Sequence, residues 1–307
     1  MANTSTITLL NTIEWAKRLN FRRPMVLGNF LEPAISNANI TLSTIVGPPF
    51  VWRWNRVVTG FITTPGQQDY FLFNWQPNFE LALGSVTADE FGNCQSVTTA
   101  GTTDMVVPDW NPNATGTTTD GTVVWTNLGP IGTPVSQTYK FGWIEKANVQ
   151  YVTNPSPLVT KWTELTPKIS LGLDSSLTRP NTISAQGDDG LGNITFRLMS
   201  VPDASYPVAI TLQQKPPLFT KVGQTWAPIP DEYSRLYNWG FLALAWLFAD
   251  DPRFATANQK FVTQLLSTNE GLTETQKNIF LGNWDAITGA PVINANRTTQ
   301  GEQSRGV

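Results

Sequence analysis

Few side chains of the kind that perform acid–base or nucleophilic chemistry stand together in this sequence. The chain has no histidine and a single cysteine, Cys94, which is surrounded by polar residues and has no basic neighbour. A Ser-His-Asp or Cys-His mechanism, a cysteine-based zinc site and an internal disulfide framework are therefore excluded within this chain. Four carboxylates, Glu145, Glu164, Asp203 and Asp231, are candidate catalytic groups, but their spacing does not pair them. We predict that the chain is not an enzyme and uses no cofactor.

Two other groups of residues could bind a small ligand. Asp188, Asp189 and Asn193 could form part of a calcium loop, but the full ligand spacing and the distal glutamate are missing, which favours a polar turn. Trp52 and Trp54 are predicted to share one face of a strand, where their rings could form a sugar-binding platform. A pair with this spacing more often belongs to a core or to a contact between subunits, and Trp52 and Trp54 are candidate contacts with a partner or with another subunit.

One basic cluster stands near the N-terminus and consists of Lys17, Arg18, Arg22 and Arg23. It could contact DNA phosphates or an acidic protein surface, and the alternative is a solvated helix end. The net charge of −3 gives no overall basic footprint for nucleic-acid binding. The longest apolar run, residues 239–249, is about half of the ~20 residues that a membrane span needs. We therefore expect no membrane contact and synthesis in the cytoplasm, since residues 1–8 lack the features of a signal peptide.

The composition favours a protein that packs against neighbours. Only 14% of the residues are charged, compared with about 25% in typical domains, and there are twelve tryptophans. The centres of protein interfaces are likewise depleted in charge and enriched in aromatic residues. Composition thus points to a structural or interaction protein.

Helical spacing of apolar residues predicts two helices near the N-terminus and three near the C-terminus. The apolar positions of the first pair are Leu9, Leu10, Ile13 and Ala16, then Ile35, Ala38, Leu42 and Ile45. Those of the next two helices are Tyr233, Leu236, Tyr237, Phe241 and Leu244, then Phe254, Ala257, Phe261 and Leu265. Ser5, Asp231 and Asp251 are predicted N-caps, and Thr273 with Gln276 predicts a capping box for the last helix.

Between these helices, short runs of aromatic and β-branched residues alternate with Gly, Pro and Asn turns. The predicted fold class is α+β: terminal helices packed as a helical bundle (residues 1–50 and 231–290) and a large central antiparallel β-sandwich or barrel (51–230). Residues 90–134, rich in Thr, Gly, Asn and Asp, are predicted to be an inserted β module with a tight turn at Asp120-Gly121. The polar residues 291–307 are predicted to form an extended arm, in which Arg297 and Arg305 meet carboxylates of a neighbour.

Several segments carry a resemblance to a known family. Residues 34–38 running into 45–49, and residues 233–246 with 250–254, resemble the opening and closing helices of bacteriophage head-to-tail adaptor (connector) proteins. Residues 52–55, 66–70 and 141–145 are similar to virion proteins from the same kind of gene neighbourhood. The segment with Pro108-Asp109-Trp110, Gly116, Asp120 to Val123 and Trp125 resembles a small β module of phage structural proteins. The motifs are loose, and the long β domain departs from the smaller adaptors of this class.

The resemblance implies a ring, commonly dodecameric, on the portal vertex of the phage neck. Helices would line a channel that double-stranded DNA passes without sequence-specific contact, and the β domain would receive tail or nozzle proteins. Other classes stay open at this point: a tail-tube, tail-terminator or head-decoration protein, a carbohydrate-binding tail protein, or an enzyme.

Overall fold

The computed structural model describes residues 5–19, 31–131, 140–153, 159–168, 176–269 and 271–289. The chain divides into two compact units, one of residues 1–55 with 216–307 and the other of residues 56–215. We call them the helical unit and the sheet unit, because every described helix falls in the first and every described strand in the second. The helical unit is therefore built from both ends of the sequence.

The helical unit contains five described α-helices. Only some of the capping residues predicted from the sequence are the ones observed. The bounds of the helices are α1 Leu9–Arg18, α2 Leu31–Val46, α3 Ser234–Phe248, α4 Phe254–Thr268 and α5 Glu274–Thr288. The capping box of α5, formed by Thr273 and Gln276, is confirmed, and Gly289 ends the helix with a φ of 65°. The caps predicted for α3 and α4 are wrong, because Tyr233 and Arg253 stand at those positions without a side-chain cap bond.

The N-cap of α1 also differs from the prediction. Thr8, rather than Ser5, accepts a hydrogen bond from the Asn11 N–H, and the Asn11 side chain closes a capping box by accepting from the Thr8 N–H. The Ser5 hydroxyl donates to Asp231 instead, over 2.9 Å. The two predicted caps, Ser5 and Asp231, thus bond to each other, a long-range contact that local pattern reading does not detect.

One hydrophobic core holds the helical unit together, and α3 contacts α1, α2 and α4 within it. Phe241, Leu244, Phe254 and Phe261 are all buried there. The core also takes in large side chains from irregular chain: Phe50, Trp52, Phe219, Trp226 and Ile229. Because these residues fill space between the helices, the predicted bundle of terminal helices is not what the structure shows.

Eleven described strands of the sheet unit form one sheet, and two more form a separate two-stranded ribbon. The strands are β1 Arg56–Ile62, β2 Asp69–Leu72, β3 Glu80–Leu81, β4 Val86–Ala88, β5 Asn93–Thr99, β6 Gly101–Thr102, β7 Thr117–Asp120, β8 Val123–Pro130, β9 Phe141–Thr153, β10 Val159–Lys168, β11 Thr182–Asp188, β12 Ile194–Met199 and β13 Pro207–Gln214. The order in the large sheet is β1-β13-β9-β10-β11-β12-β2-β4-β5-β8-β7, and β3 pairs with β6.

The predicted fold class is wrong, since the large sheet is mixed. β10 pairs with β11 in parallel, as does β2 with β4, while the other pairings are antiparallel. The sheet also curls, because Phe61 of β1 stacks on Tyr70 of β2 with ring centroids 4.5 Å apart although these strands are distant in the sheet order. The protein is thus a sheet-dominated α+β fold, in place of a terminal bundle with an antiparallel sandwich or barrel.

The region predicted as an insertion, residues 90–134, continues the large sheet. β5 pairs with β4 on one side and with β8 on the other, and β7 pairs with β8 through the turn after Asp120. The positive φ of 62° at Gly121 confirms the predicted turn. A local core joins Phe73 and Leu81, which precede this region, to four residues within it: Val97, Trp110, Val123 and Trp125. Its packing therefore begins well before residue 90.

Candidate interaction surfaces

Three of the four candidate catalytic carboxylates, Glu145, Asp203 and Asp231, are held in separate contacts, and the fourth, Glu164, is exposed on β10. Glu145 accepts hydrogen bonds from Arg56 Nε and Gln213 Nε2, each over 2.7 Å. Asp203 accepts from the Tyr206 hydroxyl over 2.7 Å, and Asp231 accepts from Ser5 and Thr6. Among the described residues, no three His, Cys, Asp or Glu side chains come together in a way that could hold a metal ion.

The acidic turn at residues 188–193 is bonded to its own backbone. Asp188 Oδ1 accepts from the Gly190 N–H over 2.6 Å, and Asp189 Oδ1 accepts from the Leu191 N–H over 2.8 Å. Asn193 donates its side-chain amide to Asp189 over 2.6 Å. These contacts confirm the interpretation as a polar turn between β11 and β12.

Cys94 is buried in β5, where its sulfur accepts a hydrogen bond from the Ile62 N–H over 3.3 Å. Burial raises the pKa of the thiol to about 12, so the thiolate is scarce at neutral pH. The polar neighbours in sequence gave no sign of this burial, but the prediction that Cys94 is not a reactive thiol agrees with it.

Trp52 and Trp54 do not lie on a strand, contrary to the prediction, because a short 3-10 turn at Arg53–Asn55 precedes β1. Their ring centroids are 5.2 Å apart, and Tyr233 packs edge-on to Trp52 at 5.3 Å. Trp52 is only 3% exposed, and its indole N–H donates to the Ile45 carbonyl over 2.7 Å. A sugar platform would need an exposed pair of rings, so the structure favours a core role for Trp52.

The predicted basic contacts are only partly described. Arg18 is exposed as the last residue of α1, and Lys17 beside it forms an ion pair with Glu14 over 2.7 Å. Arg22, Arg23, Arg297 and Arg305 lie outside the described residues, as does the predicted arm 291–307. Their contacts with a neighbour or with DNA stay predictions.

An open apolar groove of about 500 Å³ runs between α2 and α5 of the helical unit. Its walls include Ile40, Pro48, Pro49, Leu218, Ile279 and Ile287. The side chains of Ile279 and Ile287 are 58% and 55% exposed, although they belong to a helix whose other face is buried. Among the described residues, no charged side chain lines the groove. The sequence analysis did not predict this groove, although the sequence contains a signal for it. Ile279 and Ile287 are eight residues apart and lie on a different face of α5 from the buried residues Phe280, Leu281 and Trp284.

A second apolar surface lies in the sheet unit, on the loop between β6 and β7. Met105, Val106 and Val107 are consecutive and all exposed, Val106 to 73%. An exposed run of this kind is uncommon unless a partner covers it. The composition of the segment did not single it out, because polar residues dominate on both sides.

The described helices include none that is long and apolar enough to cross a membrane. No protein-family profile matches the chain, and no curated protein matches it.

Proposed function

We propose that the chain is a non-enzymatic structural subunit of a bacteriophage particle. It forms a ring, a dodecamer by the resemblance described above, in the neck between the portal and the tail. Helices of the ring line a channel for double-stranded DNA, and further surfaces dock tail or nozzle proteins. A mildly acidic subunit, with a net charge of −3, suits a channel through which DNA slides without sticking.

The observation that carries this proposal is the apolar groove between α2 and α5. A free-standing protein gains stability by covering large apolar side chains, and here Ile279, Ile287 and Leu218 flank an uncharged groove that stays open to water. Large exposed apolar patches mark sites where proteins associate. The groove is therefore the kind of surface that a subunit of a larger assembly presents to its neighbour.

The shape of the groove suits a helix of another virion protein. Ile279, Asn283 and Ile287 line it from α5 at spacings of four residues, so they form one row along about 12 Å of helix axis. A neighbouring amphipathic helix can lay its own apolar row into such a groove. Ser36, Ser43 and Asn283 also line the groove and offer polar groups to an occupant, whereas the Asn39 amide is bonded to the backbone of Phe219. We assign this contact to the portal protein, which adjoins an adaptor ring on its axis.

The groove can be tested by adding charge on one face of α5. The double variant Ile279→Lys and Ile287→Lys places two cations in the groove, whereas Asn278→Lys with Ala286→Lys places two cations at exposed positions of the same helix that do not line it. We expect the first variant to fold normally and to lose co-sedimentation with purified portal rings. The second should bind them like the unchanged protein.

Ring formation is tested with the full chain alone and with portal present, by negative-stain imaging and light scattering. Rings in either condition support the proposal. A monomer across micromolar concentrations in both conditions would overturn it. Imaging of labelled particles then separates a neck ring from a tail-tube, tail-terminator or head-decoration position.

A further inference from the structure

The exposed loop Met105-Val106-Val107 is anchored at its first residue. The Met105 N–H donates to Asp104 Oδ1 over 2.6 Å, and the Asp104 N–H donates to Asp120 Oδ1 over 2.8 Å. Asp120 is itself buried and accepts from the indole N–H of Trp75 over 2.9 Å. The three apolar side chains are thus exposed to solvent on a loop whose start is anchored to the sheet unit. The anchor reduces the conformational entropy that the loop loses when a partner docks.

The charge around the loop restricts what can cover it. Residues 57–139 contain seven carboxylates and no lysine or arginine. Asp89 and Asp120 are buried, and Asp69 is exposed but forms an ion pair with Arg197. The other four, Glu80, Glu90, Asp104 and Asp109, are exposed. Such a surface repels nucleic acid and anionic lipid, because both carry negative charge. Its occupant must offer apolar side chains beside positive charge.

The chain itself carries a face of that chemistry on α1. Leu10, Glu14, Lys17 and Arg18 follow one another at helical spacings and therefore share one side of the helix. Leu10 and Arg18 are exposed, and Leu19 next to Arg18 is exposed as well. Residues 1–56 contain six cations and two carboxylates, a net charge of +4, whereas residues 57–139 have a net charge of −7. On α1 Lys17 is paired with Glu14, so Arg18 supplies the positive charge of this face.

We infer that the loop 105–107 of one copy docks on the exposed face of α1 of the next copy. The inference rests on the proposed ring and names its lateral contact. Val106 and its neighbours pack on Leu10 and Leu19, and Asp109 lies near Arg18. The two surfaces are different, so the contact is head-to-tail, and contacts of this type close into rings when the rotation between copies allows it.

Head-to-tail contact makes a mixing experiment decisive. Val106→Lys blocks only the loop, and Leu10→Glu with Arg18→Glu blocks only the face of α1, so each variant alone should be monomeric. A mixture should form one-to-one dimers through the two intact surfaces and go no further. Matched controls are Leu191→Lys, an exposed apolar residue of the same unit, and Val51→Glu with Arg53→Glu, exposed residues near the N-terminus.

Mass photometry or sedimentation velocity gives the species present, and circular dichroism checks that each variant is folded. Single changes at the contact, such as Asp109→Arg, should raise the dissociation constant about tenfold, and pairing Asp109→Arg with Arg18→Asp should restore part of the loss. Raising salt should weaken assembly of the unchanged protein, because the charges lie at an accessible rim.

Three outcomes separate the two proposals. One-to-one dimers in the mixture support the inference. Rings from either blocked variant alone, or a mixture that stays monomeric while the unchanged protein forms rings, overturn the inference and leave the proposed function standing. Absence of any ring from the unchanged protein, with and without portal, overturns the proposed function itself.

Discussion

The indole N–H of Trp226 donates a hydrogen bond to Thr12 Oγ1 over 2.9 Å, across 214 positions of sequence. The same Thr12 hydroxyl donates a second hydrogen bond to Asn238 Oδ1 over 2.8 Å, so the three side chains form a hydrogen-bonded relay. Thr12 and Trp226 are fully buried, so neither could replace these partners with water. This relay ties α1 to α3 and to the irregular chain before it.

Removing the hydroxyl of Thr12 should destabilise the helical unit. Thr12→Val keeps the shape of the side chain but leaves the Trp226 N–H and the Asn238 carbonyl oxygen without this partner. A loss of about 1–3 kcal/mol in the free energy of unfolding is expected, measured by urea denaturation. Thr12→Ser retains the hydroxyl and should lose less. Equal stability of the Val variant and the unchanged protein would show that the relay contributes nothing.

The carboxylate of Asp231 should give the helical unit a pH dependence. Donation from the Thr6 hydroxyl lowers its pKa most, helped by the Thr6 N–H, the Ser5 hydroxyl and the Ile7 N–H, while partial burial opposes the shift. Since the pKa is lower in the folded state, the stabilisation is present above the unfolded pKa of about 3.9 and is lost as pH falls through the folded pKa.

Asp231→Asn tests this directly by thermal unfolding at several pH values. We expect the variant to be less stable than the unchanged protein at pH 7. The difference should begin to shrink below about pH 4, where the unfolded-state carboxylate is protonated, and should vanish once the pH falls through the lower folded-state pKa. A difference that stays constant down to pH 3 would contradict the role of the charge.

Phe261 should be among the most sensitive positions of the core. Its ring is fully buried on α4, packs against Trp284 at 5.2 Å, and lies so close to Gly240 that a Cβ there would come within 2.8 Å of it. Phe261→Ala should cost about 3–5 kcal/mol, measured by denaturant unfolding. Phe248→Ala, at an exposed site of α3, should change stability by less than about 0.5 kcal/mol. Similar effects of the two changes would mean that the buried face is assigned wrongly.

Residues 90–134 should not be removable as a module. The composition of this segment predicted an insertion that a short linker could replace, yet β5 bonds directly to β4 and the local core includes Phe73 and Leu81 from outside the segment. Replacing residues 90–134 with a Gly-Ser linker would expose those side chains and the edge of β4. Aggregation or loss of cooperative unfolding is expected, and a soluble, cooperatively folding deletion would contradict the shared core.

Local patterns predicted the helices well and the sheet poorly, for a physical reason. Helix positions and the Thr273–Gln276 cap depend on residues three and four apart, which a sequence displays directly. The parallel pairing of β10 with β11 and the bond of Ser5 to Asp231 join segments whose proximity no local pattern encodes. The 3-10 turn at Arg53–Asn55 was likewise not predicted, and it places Trp52 before β1 and outside the predicted strand.

The candidate surfaces divide in the same way. The row of Ile279 and Ile287 could have been found from helical spacing once α5 was assigned, whereas the exposure of Met105 to Val107 depends on bonds to Asp104 and Asp120. The burial of Asp89 and Asp120 could also not be predicted from the sequence, because a count of charged residues does not show which of them the fold covers.

The divided helical unit sets an order for folding during synthesis. Residues 56–215 form a contiguous unit and can fold as soon as they leave the ribosome, but residues 1–55 lack their core until Trp226 and α3 are made. At about 5–20 residues per second, the buried face of α2 then waits roughly 10–40 s for its partners. During that interval Ala38, Leu42 and Ile45 are uncovered, so the nascent chain carries a segment that a holding chaperone can bind.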